Sequence, residues 1–132
     1  MKVVLDTNVL VSGIFWKGLP YTILQAWVAN RFEVIVSKGI LEEYFAVLQR
    51  IDSQGDIAKR WSVFLLEHVL VIKDRYRVNL ARDIKDNKFI STALSGNADF
   101  IVSGDDDLLS LKKQSPIPII RPRSLMTLLG KH

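Results

Sequence analysis

The chain opens Lys2-Val3-Val4-Leu5-Asp6-Thr7-Asn8, an apolar β-branched run that meets an acid and two polar residues with no turn between them. A run without polar alternation is the pattern of a strand covered on both faces. Comparable runs recur at residues 34–36, 69–72, 100–102 and 117–120, and all of them are expected to be buried strands. Between them the apolar spacing turns helical. Residues 20–31 carry Pro20 in the first turn, 37–51 follow an N-cap Ser37, 56–68 form a third stretch, and 86–95 stop at Gly96. Residues 123–129 read as a closing helix. Strand and helix in alternation predict an α/β fold, a three-layer α/β/α sandwich around a mainly parallel, Rossmann-like sheet.

Length and composition agree with one domain over residues 1–132. The 48% hydrophobic and 24% charged residues suit a chain that buries a core and exclude disorder. The absence of cysteine removes disulfides, zinc–thiolate sites and thiol nucleophiles together. The opening apolar run is far shorter than the roughly 7–15 residues a signal peptide needs, and no stretch reaches the roughly 20 of a membrane span. A cytoplasmic protein without membrane contact is therefore expected. Eighteen basic residues against 14 acidic ones give +4, which suits an anionic partner and plain solubility equally well.

In open parallel sheets, ligands bind beyond the carboxyl ends of the strands, so those ends locate the chemistry. The first strand runs into Asp6-Thr7-Asn8, and the run at 100–102 continues as Ser103-Gly104-Asp105-Asp106-Asp107. Each acid has an ordinary reading as a helix cap: Asp6 for the turn after the first strand, Asp105 for a helix starting near Asp106, and Asp86 for the helical stretch it opens. Capping explains one or two of these acids better than it explains acids on three separate segments. A fourth acid comes from residues 37–51, where Ile40, Leu41, Tyr44, Phe45, Val47, Leu48 and Ile51 form one apolar stripe. At about 100° per residue Glu42 lies about 150° from the centre of that stripe, facing water, and Glu43 about 110° from it, on the flank. Glu43 is the better candidate, although an ordinary exposed residue fits the same geometry.

Carboxylates gathered in one place raise one another's pKa unless a cation neutralises them. Oxygen-only donors select hard ions, Mg²⁺ or Mn²⁺. Neither histidine, His68 nor His132, is well placed as ligand or base, and no Gly-rich nucleotide loop is present. The chemistry suited to a carboxylate-held divalent ion is phosphoryl hydrolysis. Setting four of the 14 acids aside leaves 10 against 18 bases, a basic surface around an acidic hole and hence one suited to a polyanion. Trp16, Trp27, Trp61, Tyr44 and Phe45 offer stacking surface, but most sit on apolar stripes and are expected in the core.

Four segments in this order resemble the PIN domain family, in particular the short prokaryotic toxins of toxin–antitoxin pairs. They are Val4 to Leu10, Ser37 with Ile40-Leu41-Glu42-Glu43, Asp83 to Phe89, and Ser103 to Leu109. The resemblance implies a PIN-like fold and a Mg²⁺- or Mn²⁺-dependent ribonuclease with Asp6, Glu43, Asp86 and Asp105 as its acidic quartet. It further implies Asp107 as a supplementary metal ligand and Thr7 or Asn8 as orienting groups. A homodimer and a small antitoxin partner are implied as well. Lys38 and Lys85 depart from the residues common at those places in such proteins. The competing expectation is a non-catalytic PIN-like module that binds RNA or a protein without cutting. A haloacid-dehalogenase-type phosphatase is disfavoured, because Asp6-Thr7-Asn8 lacks the second aspartate of that pattern.

Overall fold

The computed structural model describes residues 1–130. Five strands, β1 (Lys2–Leu5), β2 (Glu33–Val36), β3 (Leu70–Val71), β4 (Phe100–Val102) and β5 (Ile119–Ile120), form one sheet in the order β3-β2-β1-β4-β5, with every pairing parallel. Among the described residues seven helices flank it: α1 (Thr7–Phe15), α2 (Leu19–Val28), α3 (Lys38–Ile51), α4 (Asp56–His68), α5 (Asn87–Ser95), α6 (Asp106–Leu109) and α7 (Pro122–Leu129). A 3₁₀ turn at Ile84–Asp86 leads into α5.

The three central strands are the core. Val3, Val4, Leu5, Val34, Ile35, Val36, Ile101 and Val102 are fully buried, and each large aliphatic side chain so placed contributes roughly 1.5–3 kcal/mol. Leu125 and Leu129 of α7 are buried and Met126 packs beside them, so the closing helix seals the core. Trp27 and Tyr44 are buried, and Trp61 and Phe45 pack against the core as expected, whereas Trp16 is exposed.

The structure corrects three readings. The stretch at 69–72 is not a buried strand: β3 is an edge strand, and both its residues, Leu70 and Val71, face solvent. Residues 7–15 form a helix that the sequence concealed. They are apolar nearly all round, with Thr7, Val9, Leu10, Val11 and Gly13 all buried, so no polar stripe marks a helical period. Gly13 lets α2 approach closely, since a Cβ there would lie 2.6 Å from the Pro20 carbonyl oxygen and 2.7 Å from Leu24. The helix expected at 20–31 is α2 and ends at Val28, followed by Asn30 in the left-handed region at φ 62°.

Strand order decides where the crevice lies. From β1 the chain moves to β2 and β3 on one side, and from β4 to β5 on the other. Connections diverge at the β1–β4 pair, the topological switch point where a cleft opens beyond the strand ends.

Candidate active site

Asp6 and Asp105 follow the two strands at that switch point. The Asp6 amide donates to the Val102 carbonyl at 2.9 Å, which continues the β1–β4 pairing one residue past the strand. The Asp6 side chain is buried, and both its oxygens are bonded: Ser103 Oγ donates to Oδ2 at 2.7 Å, and the Asn8 amide donates to Oδ1 at 3.3 Å, the capping bond of α1. Ser103 accepts in turn from the Asp105 amide at 3.0 Å, and so ties the two strand ends together. Asp105 caps α6 by accepting from the Asp107 amide at 3.1 Å. Both capping readings hold, and neither removes the acids from the crevice.

Glu43 faces the same crevice from α3. Its Oε1 lies 2.5 Å from Lys88 Nζ, and its Oε2 accepts from the Thr7 hydroxyl. Glu42 points outward and pairs along the helix with Lys38 at 3.9 Å. Asp86 occupies the N-cap position of α5 without a side-chain capping bond, while Asp83 caps the preceding 3₁₀ turn through the Lys85 amide at 3.0 Å. The Asp86 carboxylate carries no hydrogen bond among the described residues and remains half-buried beside the others.

Asp6, Thr7, Asn8, Glu43, Asp86 and Asp105 therefore share one open pocket of about 320 Å³, with Arg50, Asp83 and Lys85 on its wall. Asp107 is exposed and does not line it. His68 stacks on Phe64, and its Nδ1 lies 3.0 Å from that residue's carbonyl, away from this pocket. His132 lies outside the described residues.

The electrostatics show what the pocket lacks. The Asp6 carboxyl is pushed above its usual range, first by burial and then by Asp105 and Glu43, against the lowering effect of Ser103 and Asn8. Asp86 is pushed up to about 6 by burial and by the charges of Asp105, Asp83, Asp6 and Asp107. Neighbouring carboxylates thus add to burial in raising Asp6 and Asp86, although Arg50 and Lys85 line the pocket and Lys88 pairs with Glu43. Among the described residues, no three Asp, Glu, His or Cys side chains as they are placed stand close enough together to hold a metal ion. The donor set of carboxylate oxygens, and the repulsion left within it, fit a hard divalent cation.

Burial also separates Tyr44 from the chemistry. Its hydroxyl donates to the Leu5 carbonyl within the core, and burial raises it well above the usual phenol range. It props α3 against the end of β1 and so sets Glu43 opposite Asp6.

The PIN domain profile matches residues 2–107, a span that includes all four segments of the pocket. The chain belongs to the PIN domain family. A relative from Methanocaldococcus jannaschii, the uncharacterized protein MJ1680, is 33% identical over 122 residues, covering 87% of this chain and 77% of that protein. Among solved structures, the PIN fold here is similar to the crystal structure of VapBC2 from Rickettsia felis bound to a DNA fragment from their promoter. That match has TM-score 0.64 and 16% identity, over 92% of this chain and 98% of that one. At that identity the likeness concerns the fold.

Two residues of this PIN domain have roles that sequence reasoning missed. Ser103 joins the ends of β1 and β4, a task signalled only by a hydroxyl two residues before Asp105. Lys88 neutralises Glu43 across 45 residues of chain, which no local pattern announces. No helix among the described residues is long and apolar enough to cross a membrane.

Proposed function

We infer that this PIN domain is a Mg²⁺- or Mn²⁺-dependent endoribonuclease that hydrolyses phosphodiester bonds in RNA. The observation that carries the reading is the gathering of Asp6, Glu43, Asp86 and Asp105 from four segments around one pocket, where burial and then neighbouring carboxylates push Asp6 and Asp86 above the usual carboxylate range. Asp6, Asp86 and Asp105 would hold the ion, directly or through water, and Asp107 stands at the margin as a supplementary ligand. When bound, such an ion polarises the scissile phosphate and lowers the pKa of an attacking water. Glu43 would complete the ion's surroundings or orient that water, with Thr7 fixing the Glu43 carboxylate and Asn8 the Asp6 carboxylate. Basic side chains outside the pocket would hold the flanking phosphates.

The test is incubation of the purified protein with a mixed RNA pool, with and without Mn²⁺, beside Asp6→Asn. Cleavage by the wild type that needs the ion and disappears in the variant supports the reading. Undiminished cleavage by Asp6→Asn, or in excess chelator, refutes it.

One observation favours a second reading, a non-catalytic RNA- or protein-binding module: Glu43 is already occupied by Lys88 and Thr7. That reading expects RNA binding and no cleavage at any Mn²⁺ concentration.

The fold likeness to a VapBC2 complex supports a place for this chain as the toxin of a toxin–antitoxin pair, opposed by a small antitoxin at the acidic pocket. Co-purification of a small protein that blocks cleavage would support it. A homodimer is supported by the exposed apolar residues Val63 and Leu66 of α4 and Leu70 and Val71 of the edge strand. Sedimentation of the wild type beside Leu66→Glu tests it.

A further inference from the structure

The polar connection between β3 and the 3₁₀ turn has no regular structure, yet it is fastened along α5. The Arg75 amide donates to Ser95 Oγ at 2.8 Å, and Thr92 Oγ1 donates to Asp74 Oδ1 at 3.1 Å. The amides of Leu80 and Ala81 both donate to the buried Asn87 side-chain oxygen, at 3.0 and 2.8 Å. Val78 packs against the core. These ties hold the strap open over a cleft of about 720 Å³, lined among others by Arg75, Tyr76, Arg77, Asn79, Ile84 and Lys88.

Its charge is the reverse of the acidic pocket's: Arg75, Arg77 and Lys88 line it against one carboxylate, Asp74, which accepts from Thr92. Neither Arg75 nor Arg77 has an ion-pair partner among the described residues. Tyr76 is 53% exposed and Ile84, at the start of the 3₁₀ turn, 80%, so the cleft presents an aromatic and an aliphatic side chain beside its charged groups. Lys88 belongs to both places: it lines the cleft, and its Nζ contacts Glu43 in the acidic pocket. The two sites are therefore contiguous.

We propose that this cleft binds the single-stranded nucleic acid flanking the scissile phosphate, with Arg75 and Arg77 on backbone phosphates and a base stacked on Tyr76 beside Ile84. The proposal rests on the nuclease reading for what happens next door, and not for the binding itself. Two guanidiniums without acidic partners select a polyanion, and the exposed ring selects one with unstacked bases, which a single strand offers and a duplex does not. An acidic protein could also meet arginines and an exposed tyrosine, so the comparison of single strand with duplex in the test carries the distinction. Lys88 hands the strand from the basic cleft to the acidic pocket.

The test is fluorescence anisotropy of a labelled 12-nucleotide single-stranded RNA in EDTA, where no cleavage occurs, with circular dichroism to establish that each variant is folded. Arg75→Gln with Arg77→Gln should weaken binding about tenfold and flatten the slope of log Kd against log salt by about 1.4, or roughly 0.7 for each phosphate no longer neutralised. Tyr76→Ala should weaken binding about tenfold and leave the slope unchanged. Lys17→Gln with Lys59→Gln removes the same charge from residues that line neither site, and should change Kd less than twofold. Equal effects from the two charge pairs, a duplex bound as tightly as the single strand, or a wild type that fails to bind RNA would each overturn the proposal. A wild type that binds through the cleft but never cuts with Mn²⁺ would instead sink the nuclease reading and leave this one standing.

Discussion

Asp6 and Asp105 sit at the ends of paired central strands, while Glu43 and Asp86 face them from a helix flank and a 3₁₀ turn, and the two pairs are held by different means. Asp6 is fixed by a strand-extending backbone bond and by bonds to both carboxylate oxygens, and Asp105 by its own cap. Glu43 is held by a lysine and a hydroxyl, and Asp86 by no side-chain bond among the described residues. One half of the pocket is thus built into the sheet, whereas the other half depends on side chains that a ligand can displace. Rigid geometry on one side and exchangeable partners on the other suit a site that must admit an ion and a substrate in turn.

Mutations on the two sides should break this comparison unequally. Asp6→Asn should abolish ion-dependent cleavage, exceeding the roughly 10–100-fold loss that follows removal of a group merely supporting a ligand. Its melting temperature should hold or rise, because a buried, repelled charge is gone. Cleavage assays and thermal unfolding on the same preparation check both halves of that statement. Ser103→Ala should cost about 1.5–3 kcal/mol of stability, since it strips a charged, buried acceptor of its donor. It should also lower activity by roughly tenfold or more, seen in chemical denaturation and turnover respectively.

On the displaceable side the effects should be milder. Lys88→Gln breaks an ion pair whose side chains are only 24% and 28% exposed, so stability should fall by about 1 kcal/mol, the top of the range for surface pairs. The same change should raise KM for RNA more than it lowers kcat, which steady-state kinetics would separate. The smallest effect is the pH dependence of stability without metal. Asp86 is raised to about 6 in the folded protein from an ordinary value near 3.8. Its contribution is therefore fully present below about pH 3.8 and lost as pH rises through 6. Partial exposure screens the effect, so thermal unfolding in EDTA should fall only slightly between pH 5 and pH 7. Added Mg²⁺ should remove that fall, because the ion takes the deprotonated form. A melting temperature in EDTA that climbs over this range would contradict the repulsion described here.

The same division explains what the sequence made legible. The fold was readable because β1, β2 and β4 are continuous apolar runs with helical patterns between them, and the strand ends then pointed to Asp6 and Asp105. Glu43 was separable from Glu42 by helical angle alone. The hidden parts depend on partners distant in sequence or on a missing period. α1 is buried on too many sides to show a stripe, and β3 reads as apolar although it lies at an edge. Asp83 and Asp86 were alike as letters until the cap on the Lys85 amide occupied one of them. The strap shows no period in its own sequence, because its order comes from Asn87, Thr92 and Ser95 on the next helix.

Asn87 stands between Asp86 and Lys88 in the chain, and its amide oxygen fastens the strap. Any drift that slackened this knot would disturb the neighbouring acid and base together. On the function proposed here, grip on a long polymer and grip on a small ion, properties that inheritance could otherwise adjust one at a time, would be hitched to a single uncharged side chain.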